Sequence, residues 1–165
     1  MTYTIRFWLS NLAKMKRLND FPGHKEYDKV VSKSTATENG LTFELVNGPG
    51  FRIEKWRIDY GVLGQHDGSK CDYLMIVKNK SACYWIELKD EDLDDACLQI
   101  YSTIKMIDEA KDYQTHYARI VLGRFTEDRN RIDNLRYINY KKLINTVGGK
   151  EFIKYKTKIL TEELQ

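Results

Sequence analysis

The sequence predicts a single α/β domain with a central mixed β-sheet flanked by helices. Two short apolar runs, at residues 71–77 and 83–88, are separated by a polar turn at 78–81 and predict a β-hairpin. A helical apolar stripe follows directly, formed by Leu93, Ala96, Cys97, Ile100, Ile104 and Ile107. Residues 117–123, rich in Ile and Val, then predict another strand. This order of strands, helix and strand is typical of α/β folds.

The segment before the hairpin contains three weaker patterns. Apolar residues at three- and four-residue steps predict an amphipathic helix over residues 5–17. Residues 25–39 are polar, and we expect a short helix around 27–31 followed by a loop. Strands are predicted at 41–46 and 51–59, the second an edge strand or only partly buried because neither of its faces is cleanly apolar.

The segment after residue 123 is mixed. Residues 137–140 predict a short strand, and 140–147 a short helix ended by Gly148 and Gly149. Residues 152–160 alternate, with lysines on one face, and predict one half-exposed strand. We expect the chain, residues 1–165, to form one domain, with a core at about 50–125 and an extension of the same domain at 126–165.

The composition is that of an ordinary globular protein. The 165 residues are 42% hydrophobic, and the net charge of +3 is too small to indicate nucleic-acid binding by itself. No apolar run approaches the roughly 18 residues that a membrane span needs, and the N-terminus lacks the pattern of a signal peptide. Three cysteines in apolar contexts predict buried, reduced thiols. We therefore expect a cytoplasmic protein without a membrane partner.

Three charged residues are the anomaly of the predicted hairpin. Asp72 begins the first run, and Glu87 and Lys89 end the second. Residues two apart on a strand point to the same face, so Glu87 and Lys89 are neighbours. The hairpin brings Asp72 back towards them. Two carboxylates and an ammonium group are thus predicted to converge beside a hydrophobic sheet.

This combination suits metal-assisted phosphodiester hydrolysis. Mg²⁺ or Mn²⁺ prefers oxygen ligands, which Asp72, Glu87 and the backbone carbonyl of Leu88 provide. Such a cation activates a bound water and neutralises charge on a phosphate. Lys89 is placed to hold that water or to stabilise the transition-state charge.

The same residues resemble a known family. Asp72, fourteen intervening residues and then Glu87-Leu88-Lys89 resemble the bipartite signature of the PD-(D/E)XK nuclease superfamily, which includes restriction endonucleases and Holliday junction resolvases. The resemblance covers residues 57–123 and is closest to small stand-alone bacterial members. It implies a restriction endonuclease-like core, metal ligation by Asp72 and Glu87, a catalytic role for Lys89, and an accessory role for Gln99 on the following helix.

The chain departs from the family pattern at two positions. Cys71 replaces the proline that often precedes the first acid, and residues 2–18 contain no acid where some members supply one. Asp59 is therefore the candidate for a third carboxylate, with Glu26 and Glu54 as weaker candidates.

The resemblance implies a nucleic-acid substrate, DNA more than RNA, and is compatible with a homodimer. Candidate phosphate contacts are Arg52, Lys55, Arg57, Lys78 and Lys80, followed late in the chain by Arg124, Arg129, Arg131, Lys154, Lys156 and Lys158. Five acids at positions 90–95 oppose this substrate unless their side chains turn away. They are typical of a helix start.

Two other hypotheses remain open from the sequence. The first is a domain of the same fold that no longer cuts and serves as a binding module for nucleic acid or protein. The second is an unrelated α/β protein with a chance motif, in which Glu87 and Lys89 form an ordinary ion pair worth less than ~1 kcal/mol.

Overall fold

Two β-sheets and two α-helices make up the regular part of the computed structural model, which describes residues 15–64, 68–124 and 137–165. The first sheet has six strands in the order β1-β4-β5-β6-β7-β8, and the second has three in the order β2-β3-β9. The strands are β1 Lys25–Val30, β2 Lys33–Glu38, β3 Leu41–Val46, β4 Arg52–Arg57, β5 Tyr73–Val77, β6 Ala82–Lys89, β7 Thr115–Leu122, β8 Ile153–Thr157 and β9 Ile159–Glu163. The helices are α1 Leu93–Met106 and α2 Ile138–Val147. The predicted α/β class with a mixed sheet is confirmed.

The predicted hairpin forms the centre of the large sheet. Strands β5 and β6 pair antiparallel, with Tyr73 opposite Ile86, and a 3₁₀ turn at Lys78–Lys80 connects them. Every residue of β5 is buried, as is β6 up to Leu88. Strand β7 then pairs parallel to β6, and β8 parallel to β7. Strands β6, β7 and β8 therefore have their C-terminal ends on the same side of the sheet, where Lys89 lies.

The helices and the small sheet cover opposite faces of the large sheet. Alternate hairpin residues such as Leu74 and Trp85 pack in one core with α1 and α2, whereas Met75 and Tyr84 pack with Phe43 of the small sheet. Asp92 caps α1 by accepting the Asp95 N–H at 2.9 Å. Four residues of the predicted apolar stripe are buried on this helix, whereas Ile104 is half-buried and Ile107 lies just beyond the helix end. The three cysteines are buried free thiols, as predicted.

Residues 25–38 contradict the predicted short helix and loop. They form β1 and β2, which lie in different sheets. Strand β1 pairs with β4, far along the chain, and its polar side chains bind across that pair, as Asp28 does with Arg52 at 2.5 Å. Because β1 covers the outer side of β4, the predicted edge position of β4 is also wrong. Long-range pairing, rather than local apolar periodicity, determines this region.

Two late predictions are also wrong. Residues 138–140 begin α2 instead of a strand, although the predicted helix end at Gly148 is confirmed. The single strand predicted over 152–160 is two strands in different sheets. Lys158 separates them with φ of 67°, donates its N–H to the Leu122 carbonyl at 2.9 Å and accepts from the Thr42 N–H at 3.0 Å. The alternating pattern continues through this break, which is why periodicity did not reveal it.

The predicted N-terminal helix lies largely outside the described residues. Its last three positions, 15–17, are not helical, and Lys16 instead forms a β-bridge with Ile107. Within the described ranges, no helix is both long enough and apolar enough to cross a bilayer.

Candidate active site

The open end of the hairpin brings Asp72, Glu87 and Lys89 together. Asp72 immediately precedes β5, and its N–H donates to the Ile86 carbonyl at 3.0 Å. Glu87 and Lys89 lie in the last three residues of β6 and belong to the face that packs on α1. The charges of Asp72 and Lys89 both shift the pKa of Glu87, Asp72 raising it and Lys89 lowering it.

Asp72 is a buried carboxylate with a backbone partner. The residue is only 8% exposed, and its Oδ2 accepts the Leu88 N–H at 2.8 Å. Burial first, with the nearby carboxylates of Glu38 and Asp59, raises the pKa of Asp72 to about 7, although the Leu88 hydrogen bond lowers it. A proton or a cation at Asp72 therefore relieves unfavourable charge.

Glu87 is more deeply buried and less well satisfied. The residue is 2% exposed, and its Oε2 has no hydrogen-bond partner. Burial first, and then the neighbouring Asp72 carboxylate, raise the pKa of Glu87 to about 9. A buried carboxylate oxygen without a partner is uncommon in folded proteins and calls for an explanation.

Lys89 turns to the helix rather than to Glu87. Its Nζ lies 2.5 Å from Asp95 Oδ2, and the same Oδ2 accepts the Gln99 side-chain amide at 3.0 Å. Burial alone would lower the pKa of Lys89, but the Asp95 carboxylate outweighs it and the pKa is raised. Lys89 is therefore a held cation beside the two carboxylates.

Asp95 is a site residue that the sequence did not reveal, because it was assigned to helix-start chemistry. Its spacing offers a signal in retrospect. Asp95 precedes Gln99 by four residues, which places both on one helix face. The structure shows that this face meets the end of β6.

The Leu88 carbonyl points to the same side as Asp72. On a strand, the N–H and C=O of one residue share a side, and consecutive residues alternate. The Lys89 carbonyl accepts the Gly123 N–H on the β7 side at 2.9 Å, and the Leu88 N–H points to Asp72. The Leu88 carbonyl therefore faces the Asp72 side.

Asp59 lies near the site but already has partners. Its carboxylate raises the pKa values of both Asp72 and Glu87. Its Oδ1 accepts the Tyr60 N–H at 2.9 Å and lies 3.8 Å from Lys70 Nζ. The weaker candidates are elsewhere, since Glu26 pairs with Lys55 and Glu54 with Lys25 and Lys78.

The acids at the start of α1 have separate structural tasks. Asp92 caps α1, and Asp95 holds Lys89. Asp94 turns towards α2, where Oδ1 accepts the N–H groups of Asn139 at 3.1 Å and Tyr140 at 3.0 Å. Most of the acidic run is thus engaged with the protein, which lessens its opposition to a nucleic-acid substrate.

Replacing Asp94 with Ala is expected to destabilise the protein by about 1–2 kcal/mol, since α2 loses the carboxylate that satisfies its first N–H groups. Chemical denaturation measures the change. Lys141→Ala, an exposed position on the same helix, is the matched control and should remain within about 0.5 kcal/mol of wild type. Equal stability of the two variants would contradict the capping role.

The structure does not bring all five predicted phosphate contacts to the site. Arg52, Lys78 and Lys80 lie at the opposite end of the strands. The five residues of β5 separate Asp72 from Lys78, a distance of about 20 Å along the strand. Lys55 is buried, pairs with Glu26 and lies 4.7 Å from the Tyr73 ring centroid. Only Arg57 of this group reaches the site, where its charge lowers the pKa of Asp72 against the burial that raises it.

Two late cations lie at the same end of the sheet. The Arg124 N–H donates to the Asp90 carbonyl at 2.8 Å, next to Lys89. Lys158 is tied to the end of β7 through the Leu122 carbonyl. Lys154 pairs with Glu162, Lys156 is exposed on β8, and Arg129 and Arg131 lie outside the described residues. The backbones of Arg124 and Lys158 therefore lie at this end of the sheet, and the Arg57 charge acts on Asp72 itself.

The donor set fits one hard divalent cation. Across the described ranges, no three His, Cys, Asp or Glu side chains are arranged to hold a metal. The donors here are two carboxylates and a carbonyl, which suits a cation that keeps several waters. The unpartnered Glu87 Oε2 and the raised pKa values of Asp72 and Glu87 are the features that a bound cation would relieve.

Comparison with protein-family models, with curated proteins and with solved structures found no match for this chain.

Proposed function

We propose that this protein is a divalent-metal-dependent nuclease that hydrolyses phosphodiester bonds of DNA, with a restriction endonuclease-like core of the PD-(D/E)XK type. The observation that carries the proposal is the convergence of Asp72, Glu87 and Lys89 at the open end of one buried hairpin. A chance motif has no reason to place two buried carboxylates and a held lysine side by side.

The chain's own residues account for binding and charge. Asp72, Glu87 and the Leu88 carbonyl would hold Mg²⁺ or Mn²⁺, which when bound supplies an activated water and neutralises phosphate charge. Lys89 presents a fixed positive charge next to these groups, where charge develops on phosphorus oxygens. Asp95, which also accepts the Gln99 side-chain amide, holds the lysine. Arg57, Arg124 and Lys158 would attract the phosphate backbone.

A non-cutting module of the same fold is the second candidate. One observation favours it, since Lys89 Nζ is already paired with Asp95 at 2.5 Å. A lysine confined to an ion pair is less available to a substrate than a free one.

Plasmid, branched and single-stranded DNA, incubated with Mg²⁺ or Mn²⁺, test the proposal. Wild-type protein should cut at least one of these substrates, and Glu87→Ala and Lys89→Ala should not. Binding of DNA without cutting by any form would favour the module. Cutting that persists in both variants would show that the site lies elsewhere.

A further inference from the structure

Tyr60 presents its ring to solvent. It is 77% exposed, whereas every other Tyr, Phe and Trp among the described residues is buried or half-buried. An isolated exposed apolar residue is ordinary. Tyr60 differs because of its backbone, its neighbours and its closeness to the candidate active site.

The Tyr60 backbone adopts a conformation that disfavours a bulky side chain. Its φ is 55° and ψ is 3°, in the left-handed region. Two contacts support this conformation: Asp59 Oδ1 accepts the Tyr60 N–H at 2.9 Å, and the Arg57 guanidinium lies 5.8 Å from the ring centroid. Strain of this kind is retained where the surrounding structure imposes it, often at ligand sites.

A cavity of about 650 Å³ opens beside this ring. Lys16, Phe21 and His24 line it together with Tyr60 and with the glycine backbone at positions 61 and 64. The rings of Phe21 and His24 are 6.4 Å apart, and Lys16 Nζ lies 6.0 Å from the Phe21 centroid. Flat faces with one cation suit a planar ring that carries a phosphate.

The cavity adjoins the candidate active site through a short backbone connection. The Ile58 N–H donates to the Asp72 carbonyl at 2.9 Å, and the Asp59 N–H donates to the Cys71 carbonyl at 3.1 Å. Tyr60 follows directly. A nucleic-acid strand with one phosphate at Asp72 would therefore place a flanking nucleotide near Tyr60.

We propose that this cavity binds an unpaired nucleobase of the substrate, with Tyr60 as the stacking surface and Lys16 facing the adjoining phosphate. The proposal rests on the nuclease function and narrows its substrate to DNA with a single-stranded segment. A duplex keeps its bases stacked on each other, so that none is available to Tyr60.

Fluorescence anisotropy with labelled single-stranded DNA and a blunt duplex of equal length, both in EDTA, tests this cavity without cleavage. Tyr60→Asn removes the ring and suits the left-handed backbone, so it should unfold at a Tm equal to or above that of wild type. We expect it to weaken single-strand binding about tenfold, the effect of one lost stacking contact, and to leave duplex binding unchanged. Tyr60→Phe should stay within about twofold of wild type.

Ile159→Ala, which removes another exposed apolar side chain on β9, is the matched control and should not change binding. Unchanged single-strand affinity of Tyr60→Asn, or an equal loss for both DNA forms, would overturn the base-binding cavity. If cleavage depends on Glu87 but Tyr60→Asn binds single-stranded DNA as wild type does, the base-binding cavity is overturned and the nuclease function stands. Tyr60-dependent binding by a protein that cuts nothing would support the cavity and overturn the nuclease.

Discussion

Glu87→Gln is expected to abolish cleavage while making the metal-free protein more stable at about pH 8. The loss of cleavage should exceed about a hundredfold, because even groups that only orient metal ligands contribute about 10–100-fold. The gain in stability should be about 2 kcal/mol. Each pKa unit corresponds to about 1.4 kcal/mol, and the unmet hydrogen bonds of a buried amide subtract about 1–3 kcal/mol from the benefit of removing the charge.

The gain should depend on pH in one direction. Burial raises the folded-state pKa of Glu87 to about 9, from an ordinary value of 4.5. Between these values the folded protein keeps a proton that the unfolded chain has released, so wild-type stability falls as pH rises through this window. The stability gain of Glu87→Gln over wild type should therefore be largest near the folded-state pKa of about 9 and disappear at about pH 5. Urea denaturation at several pH values measures it.

A second buried glutamate provides the control. Glu54 on β4 is also buried, but it pairs with Lys25 at 3.8 Å and with Lys78. Glu54→Gln removes the charge that faces these two lysines, of which Lys25 retains Asp28 at 3.9 Å, and the variant should lose stability at the same pH. Added Mn²⁺ should stabilise wild type and not Glu87→Gln. If Glu87→Gln is less stable than wild type at every pH, the Glu87 carboxylate is not an unfavourable buried charge. The argument for a cation site at Glu87 then fails as well.

Asp95→Asn is expected to reduce cleavage by about 10–100-fold, the usual cost of losing a group that positions a catalytic residue. Without the Asp95 carboxylate, Glu87 is the acid with the largest remaining effect on Lys89. The lysine would then compete with the cation for Glu87. Cleavage rates at increasing Mn²⁺ should show a weaker apparent cation affinity, and Mn²⁺ binding measured by calorimetry should weaken without any substrate present.

Asp90→Asn distinguishes this role from a general charge effect. Asp90 belongs to the same acidic run but pairs only loosely with exposed Arg124 at 3.4 Å. Removing a negative charge near a phosphate-binding surface should leave DNA binding unchanged or strengthen it. If Asp90→Asn and Asp95→Asn alter cleavage equally, Asp95 has no specific hold on Lys89.

The central stretch was predictable because its signals are local. The apolar runs of β5 and β6 are bounded by a polar turn, and the stripe of α1 follows at once. Period-two geometry placed Glu87 beside Lys89, and the hairpin returned Asp72 to them. Gln99 was located by the family resemblance, and the structure joins it to Lys89 through Asp95.

The polar segments were not predictable in the same way. Strand β1 is stabilised by pairing with β4, and β2 by pairing with β3. Their own residues therefore show little periodic pattern. The break at Lys158 is a backbone turn that leaves the alternation of side chains intact. The sequence offered several candidate phosphate contacts but no way to tell which of them converge. The fold places Arg57 at the site and Arg52, Lys78 and Lys80 at the other end.

The sequence by itself determined the hairpin, the helix after it and the three charged residues at their junction, because hydrophobic periodicity and chain connectivity operate within a few residues. Only the tertiary structure decided which face of α1 meets β6, and hence that Asp95 rather than Glu87 holds Lys89. It also decided that Glu87 is buried without a partner for Oε2 and that Tyr60 is held exposed beside a cavity. These properties depend on desolvation and on neighbours distant in sequence, which no local pattern encodes.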